Sequence, residues 1–190
     1  MKLQIDHKRV TTVPEELIMA LESSFKEEDW LVSDYRRVVD NMSKTNTIPI
    51  LHTPLCAKGI VSYQAINDIR EEKLYNKYFP LVEPIINLLK NHYTFNKYAC
   101  FLTRLEPNSE IGMHVDKGLF LELCNRVHVP IVTNSKVRYL IDSQSYYWER
   151  GGVYEFDNTR MHGVQNKSNE YRIHFIINLY NLSEEELKGL

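Results

Sequence analysis

The sequence near its end reads Tyr171-Arg172-Ile173-His174-Phe175-Ile176-Ile177-Asn178-Leu179, and its polarity alternates from residue to residue. Successive side chains of a β-strand point to opposite faces of the sheet, so this stretch predicts a strand with two unlike faces. One face is aromatic and aliphatic, whereas the other carries Arg172, His174, Ile176 and Asn178. We expect the apolar face to pack against helices and the polar face to line the interior of a barrel.

A second predicted strand divides its side chains in the same way. In Arg126-Val127-His128-Val129-Pro130-Ile131, Arg126 and His128 share one face and three aliphatic side chains share the other. A buried guanidinium is costly unless an anion pairs with it, and its fork matches a carboxylate. Two inward faces that both carry Arg and His therefore favour a shared anionic ligand. The alternative for Arg126 is a structural ion pair with an acidic residue at the rim of the barrel.

Further short strands are predicted throughout the second half of the chain. Turn signals separate runs of β-branched and aromatic residues, and no helical crossover of a dozen residues lies between them. This spacing favours a jelly roll or small barrel over a parallel sheet. The predicted strands are Ala99 to Leu105, Val127 to Thr133, Lys136 to Ile141, Gly152 to Phe156 and Tyr171 to Leu179.

The first half of the chain is mostly helical in pattern. Apolar spacing predicts helices at Pro14 to Phe25, Tyr63 to Tyr78 and Leu81 to His92, with one edge strand at Thr47 to Leu51. The fold class is therefore mainly β with flanking α: a double-stranded β-helix (jelly-roll or cupin-like barrel) buttressed by N-terminal helices. The 190 residues have the size of a single domain, 1–190. In it, residues 1–97 would form mainly helical support plus an edge strand, and residues 98–182 the catalytic β-barrel core.

Charge and hydropathy exclude two classes of partner. The formal net charge is −2, from 23 basic and 25 acidic residues, without the basic excess of a nucleic-acid binder. A weak basic cluster, Lys8-Arg9 with Arg36-Arg37, is interpreted as a solvated surface. No stretch approaches the ~20 apolar residues of a membrane span, so we expect no membrane partner and a cytoplasmic location. No pattern indicates an oligomeric state.

Three residues are candidate metal ligands. His114 and Asp116 form an HxD pair, and residues two apart on an extended segment point the same way. His162 lies in a polar stretch between two apolar strands. Two histidines and one carboxylate on one face of an octahedron form the ligand set of non-haem iron(II) oxygenases. The alternatives are a chance HxD pair and a surface histidine in a turn, but Arg172 follows His162 by ten residues and offers a cation for a carboxylate ligand.

Together these segments resemble the aspartyl/asparaginyl β-hydroxylase family of 2-oxoglutarate oxygenases, which includes bacterial hydroxylases of free amino acids such as proline cis-hydroxylases. The resemblance extends over residues 98–180, nearly half of the chain. The matching segments, in order, are Arg104-Leu105-Glu106-Pro107 leading to His114, Arg126-Val127-His128, Trp148-Glu149-Arg150-Gly151-Gly152 with Phe156-Asp157, His162-Gly163-Val164 and Arg172.

The resemblance implies a role for each candidate residue. His114 and His162 would be iron(II) ligands, and Arg172 would bind the C5 carboxylate of 2-oxoglutarate with help from Thr103. The sites of 2-oxoglutarate and O2 would be bounded by Arg126 and His128. Animal peptide hydroxylases of the family have glycine where this chain has Asp116, so Asp116 places the chain with members that keep the full triad.

The expected function is therefore that of an Fe(II)/2-oxoglutarate-dependent dioxygenase that hydroxylates a small substrate. A free amino acid or another small carboxylate ranks first as the substrate, and an Asp-, Asn- or Pro-type residue of a peptide ranks second. The alternative is a metal- or small-acid-binding cupin-like protein without 2-oxoglutarate turnover. Arg172 distinguishes the two, because a barrel that does not bind 2-oxoglutarate has no need for this cation.

Overall fold

Two antiparallel β-sheets enclose a common core in the computed structural model, which describes residues 6–33 and 42–188. The larger sheet has the order β1-β9-β6-β11-β4-β2-β3, and the smaller has the order β5-β10-β7-β8. The strands are β1 (His7–Thr12), β2 (Thr45–His52), β3 (Arg70–Glu71), β4 (Lys97–Leu105), β5 (Ser109–His114), β6 (Asn125–Val132), β7 (Val137–Ile141), β8 (Gln144–Tyr146), β9 (Gly152–Phe156), β10 (His162–Asn166) and β11 (Arg172–Tyr180).

This arrangement confirms the predicted jelly-roll class, with one difference. The described strands form two separate sheets that do not close into one continuous barrel. Arg172 and Arg126 stand on the large sheet, whereas His114 and His162 stand on the small one. A ligand between the sheets would therefore be approached from both sides.

Two of the five described helices, the first and the third, cover the outer face of the large sheet. The helical elements are α1 (Glu15–Ser23), α2 (Tyr63–Asn67), α3 (Tyr75–Leu89), α4 (Leu119–Glu122) and α5 (Glu184–Leu187), with single 3₁₀ turns at Glu27–Leu31 and Cys56–Lys58. Apolar residues of α1 and α3, such as Ile18 and Val82, share one buried core with Phe175 and Ile177 of β11. No helix in the described part of the chain is long and apolar enough to cross a membrane.

The two faces of β11 and β6 are as predicted. Ile173, Phe175, Ile177 and Leu179 belong to the helix-side core, as do Val127, Val129 and Ile131 of β6. On the opposite face, Arg172 and Ile176 line a pocket between the sheets together with Arg126 and His128. The alternation along each strand thus separates a helix-side core from an inner, partly polar core.

The helix predicted at Tyr63 to Tyr78 is wrong. The helix α2 ends at Asn67, and the short strand β3 intervenes before α3 begins at Tyr75. The helical spacing of apolar residues continues across this break. A prediction from periodicity alone therefore merged two helices that a polar segment separates. The next helix begins six residues before the predicted Leu81 and contains Pro80 and Pro84.

Five strands were not predicted: β1, β3, β5, β8 and β10. Each has six or fewer residues, and β1, β3 and β8 lie at sheet edges where polar side chains remain partly exposed. The first 97 residues consequently supply three strands to the described sheets instead of one.

Of the weak basic cluster, Lys8 and Arg9 lie on β1, and Arg36 and Arg37 lie outside the described residues.

Phe175→Ala tests the helix-side core. The Phe175 side chain is 0% exposed, so truncation removes apolar contacts and leaves a cavity under the helices. We expect the free energy of unfolding to fall by about 3–5 kcal/mol in urea titrations. Tyr147→Ala is the control: this ring is 43% exposed, and its removal should change stability by no more than about 0.5 kcal/mol. Equal effects of the two substitutions would contradict the core assignment.

Candidate metal centre

The three predicted ligands lie together at one end of the small sheet. His114 is the last residue of β5 and His162 the first of β10, and the two are direct cross-strand partners. Their ring centroids are 4.2 Å apart. Asp116 follows in the loop after β5, with Oδ1 at 3.7 Å from Nε2 of His114 and Oδ2 at 4.0 Å from Nε2 of His162. One ligand atom from each residue lies within 4.8 Å of the others.

Backbone carbonyl groups fix the orientation of both imidazole rings. The Nδ1 atom of His114 lies 2.8 Å from the carbonyl oxygen of Gly112, and Nδ1 of His162 lies 2.8 Å from that of Arg160. A carbonyl oxygen only accepts, so we assign the proton of each ring to Nδ1. The lone pair of each Nε2 is then directed to the space that the three residues share. Such hydrogen bonds from the second ring nitrogen are typical of histidines that bind metals.

The Asp116 carboxylate is buried and held by two side chains. Arg126 donates from Nη1 to Oδ2, and Asn158 donates from Nδ2 to the same oxygen at 3.1 Å. The Asp116 backbone N–H also donates to the Asn158 carbonyl oxygen at 3.1 Å. Burial alone would raise the pKa of the carboxyl, but the charge of Arg126, with smaller contributions from His162, Asn158 and His114, holds that pKa below its usual value.

The protonation states suit a metal cation. Burial lowers the pKa of His162 to about 4 despite the opposing charge of Asp116, so near neutral pH its Nε2 lone pair is available. Metal ligands must be deprotonated, and here a neutral imidazole stands beside an ionised carboxylate. Imidazole and carboxylate together favour a divalent first-row metal, and the set of two histidines and one carboxylate fits iron(II).

A pocket connects the two histidines to Arg172. The Arg172 side chain is 1% exposed, donates from Nη1 to Oγ1 of Thr103 at 3.2 Å, and places its guanidinium carbon 5.2 Å from the Tyr139 ring centroid. The same pocket is lined by His114 and His162 from the small sheet. Apolar side chains form most of the remaining wall: Ile111, Phe156, Val164 and Ile176.

Arg126 and His128 also line this pocket. Arg126 is bonded to Asp116, and its Nε donates to Oδ1 of Asn178 at 3.0 Å. The structural ion pair that was the alternative for Arg126 is therefore present, with a candidate metal ligand as its partner. The ring of His128 packs edge-on against Phe156 and Tyr139 at centroid distances of 5.2 and 5.9 Å. The binding of 2-oxoglutarate or O2 by these two residues stays a prediction.

Three residues at the site were not predicted. Asn158 positions the carboxylate, Tyr139 stands beneath Arg172, and His174 lies 2.9 Å from the Tyr139 hydroxyl. Strand alternation already placed His174 on the inner face. The same alternation in Lys136 to Ile141 puts Tyr139 on one face with Val137 and Ile141. Asn158 gave no signal, because it holds Asp116 through a contact between two loops.

Fold and site together define a class of protein: a double-stranded β-helix with a candidate centre of two histidines and one carboxylate. A sequence model of the family described as Aspartyl/Asparaginyl beta-hydroxylase matches residues 65–181. The chain belongs to this family, and membership supports a hydroxylase. No curated protein sequence matches the chain.

Solved structures share the fold at low sequence identity. A viral collagen prolyl hydroxylase from Paramecium bursaria Chlorella virus-1, solved with 2-oxoglutarate, aligns with a TM-score of 0.54 and 10% identity, over 95% of this chain and 98% of its own. A Pseudomonas putida prolyl-4-hydroxylase aligns at 0.51 and 11%, over 93% and 92%. A 2OG-Fe(II) oxygenase family oxidoreductase from Burkholderia pseudomallei aligns at 0.51 and 15%, over 75% and 69%.

The buried His174 generates a prediction about acid stability. Burial, with Arg172 and His128 nearby, holds the pKa of His174 well below its ordinary value of 6.5. Below pH 6.5 the unfolded chain therefore takes up a proton that the folded protein excludes, and the free energy of unfolding falls as the pH falls. One excluded proton contributes a slope of roughly 1.4 kcal/mol per pH unit. Urea titrations of the chelator-treated protein at several pH values measure this slope.

His174→Gln should reduce the slope, whatever it does to stability at neutral pH. Part of the slope remains, because His162 in the folded protein stays unprotonated as the pH falls towards its pKa of about 4. His92→Gln is the matched control, since this side chain is exposed and should leave the slope unchanged. If both substitutions change the pH dependence of the free energy of unfolding equally, His174 is not buried in its neutral form.

Proposed function

We propose that this protein is an iron(II)- and 2-oxoglutarate-dependent dioxygenase that hydroxylates a small carboxylate substrate. One observation carries the proposal: the small sheet presents His114 and His162 to the same pocket into which the large sheet presents Arg172. A metal centre and a buried guanidinium on opposite walls can hold the two ends of a dicarboxylate. Family membership supports the same chemistry.

The chain's own residues would hold and orient the reactants. His114, Asp116 and His162 would bind iron(II), with Arg126 and Asn158 keeping the carboxylate in place. The guanidinium of Arg172 and the hydroxyl of Thr103 would receive the C5 carboxylate of 2-oxoglutarate, and Arg126 and His128 would bound the space near the metal. Iron(II) bound with 2-oxoglutarate and O2 supplies an oxidant that converts a substrate C–H bond into C–OH, with succinate and CO2 as co-products.

The pocket wall serves the reaction by limiting water. Ile111, Phe156, Val164 and Ile176 surround the polar groups with side chains that cannot donate or accept protons. In such surroundings an ion pair with Arg172 is stronger than it would be in bulk water. The wall therefore both strengthens the grip on a carboxylate and protects a reactive centre from solvent.

Arg172→Ala tests the co-substrate claim. The substitution removes a charge-assisted pair from a buried site, so we expect the dissociation constant of 2-oxoglutarate to rise about ten- to a thousandfold. Arg172→Lys should restore binding only in part, because it keeps the charge and loses the fork. Anaerobic titration of the iron-loaded protein, followed by the visible charge-transfer absorption, measures the constant.

Two further variants separate the possible failures. His114→Ala removes a ligand and should abolish the absorption altogether, whereas Arg172→Ala shifts its midpoint and leaves iron binding intact. Arg138→Ala is the matched control, since this half-buried arginine of β7 donates to a backbone carbonyl outside the pocket. Wild-type protein that binds iron(II) but no 2-oxoglutarate would instead indicate a metal-binding barrel without 2-oxoglutarate turnover.

The substrate class is tested by coupled turnover. We propose a free amino acid first and an Asp-, Asn- or Pro-type residue of a peptide second. Succinate formation should be stimulated by at least one free amino acid, with loss of stimulation in His162→Ala. Stimulation by peptides alone would exclude free amino acids and favour the second class.

A further inference from the structure

Three aromatic rings form a continuous stack between the two sheets. Trp148, 1% exposed, lies face to face with Tyr139 at a centroid distance of 3.7 Å and an interplanar angle of 18°. On its other side Tyr154 stacks at 5.1 Å and 5°. Tyrosine and tryptophan are the side chains most readily oxidised by one electron without leaving a covalent lesion. The metal centre uses neither Trp148 nor Tyr154.

The inner end of the stack reaches the pocket. Tyr139 lines the pocket with His114 and His162. On β7 it lies opposite Val164, two residues along β10 from His162, so it points to the same side of the small sheet. Tyr139 is therefore the ring of the stack that an oxidant formed in the pocket meets first.

A proton acceptor stands at this inner end. The Tyr139 hydroxyl lies 2.9 Å from Nδ1 of His174, whose side chain is 0% exposed. Burial, Arg172 and His128 hold the pKa of His174 well below its ordinary value, so the imidazole is neutral at neutral pH. We assign the phenol as the donor, because it is the more acidic group and a neutral imidazole offers one lone pair. A phenol that loses an electron becomes strongly acidic, and this hydrogen bond gives its proton a place to go.

A glycine leaves the space that the outer ring of the stack occupies. A Cβ atom on Gly152 would lie 2.5 Å from the Tyr154 ring, so only glycine lets this ring lie flat on Trp148. The Glu149 N–H donates to the Tyr154 hydroxyl at 3.0 Å and pins the ring. Arg9, an exposed residue of β1, holds its guanidinium 6.0 Å from the ring centroid, so Tyr154, itself 5% exposed, lies directly beneath the surface.

We propose that Tyr139, Trp148 and Tyr154 form an electron relay from the pocket to the surface, with His174 as the proton acceptor at its inner end. Its use rests on the proposed function, since a centre that activates O2 without a substrate in place leaves a one-electron oxidant in the pocket. The relay delivers an electron to that oxidant before a pocket side chain is modified. The segment Trp148-Glu149-Arg150-Gly151-Gly152 thereby gains a role beyond packing.

The electrons and protons balance over one cycle. The oxidant takes one electron from Tyr139, and the phenolic proton moves to Nδ1 of His174. Trp148 then reduces the Tyr139 radical while His174 returns the proton, and Tyr154 reduces Trp148. Tyr154 loses its phenolic proton to solvent and is restored by a hydrogen atom from a soluble reductant of the ascorbate or thiol class. The net change is one electron delivered inside, one hydrogen atom removed from the reductant outside and one proton released to solvent.

The test uses the full-length, metal-free protein and an external oxidant. Flash-generated ruthenium(III) tris-bipyridine removes one electron at the surface and leaves an electron vacancy, or hole, on the protein. Transient absorption and electron paramagnetic resonance follow the position of this hole. We expect the hole to enter at Tyr154, pass through Trp148 and settle on Tyr139 as a long-lived neutral tyrosyl radical. Tyr139→Phe should abolish that long-lived signal. Solvent deuterium should slow its formation in the wild type, and His174→Gln should remove this isotope effect.

Two substitutions break the relay at different places. Trp148→Phe keeps an aromatic ring of low oxidisability and should prevent the hole from reaching Tyr139. Gly152→Ala should displace Tyr154 and slow the entry of the hole, with Tyr139 and His174 unchanged. Tyr98→Phe is the matched control, because Tyr98 packs against the helix-side core away from the stack. Circular dichroism confirms that each variant is folded.

Equal radical yields and rates in the wild type, Tyr139→Phe and Trp148→Phe would overturn the relay and leave the stack a packing element. If one variant does not fold, the other decides the question alone. The test needs neither iron nor 2-oxoglutarate, so its failure is distinct from a failure of the proposed oxygenase function. Conversely, if the relay operates but the protein does not bind 2-oxoglutarate, the relay stands and the proposed oxygenase function fails.

Discussion

The two-residue period of the β-strand is the constraint on which the rest of this structure depends. Along β11 it sends Phe175 to the helix-side core and Arg172 to the space between the sheets. A shift of one residue would exchange these faces, turning the apolar set to the space between the sheets and burying a guanidinium against helices. All nine residues of β11 pair with β4 and seven of them pair with β6, so this register is fixed from two sides.

Charges between the sheets follow from that register. Arg126 is directed inward by the same alternation, and the ion pair with Asp116 compensates for its burial. Because Asp116 sits in a loop, a second contact from Asn158 is needed to hold its backbone and carboxylate together. The candidate metal centre thus depends on two strands that place its histidines and on one arginine that orients its carboxylate.

The sequence predicted those parts of the molecule that depend on strand alternation. The faces of β6 and β11 and the jelly-roll class follow from residues whose spacing is regular, and the family follows from the resemblance of several short segments. Sequence reasoning predicted the wrong element where an apolar period continues through a break, as at Asn67. It found no signal where a contact joins two distant loops, as at Asn158. The strand β10 was not predicted because its five residues include a histidine and a glycine, which have no preference for strands. Convergence of His114 and His162 needed the pairing of β5 with β10, which no local pattern specifies.

Asp116 and Arg126 are best understood as one unit. In the family, animal peptide hydroxylases resemble this chain but carry glycine at the position of Asp116. Without the carboxylate, a guanidinium at the position of Arg126 would face the pocket with its charge available to an anionic substrate. In this chain the carboxylate engages that charge next to the metal site. Asp116, two positions after His114, therefore decides whether the charge of Arg126 is engaged by a carboxylate of this chain. Under the proposed function, a substrate carboxylate would consequently compete with Asp116 for Arg126 or be recognised by groups nearer the pocket mouth.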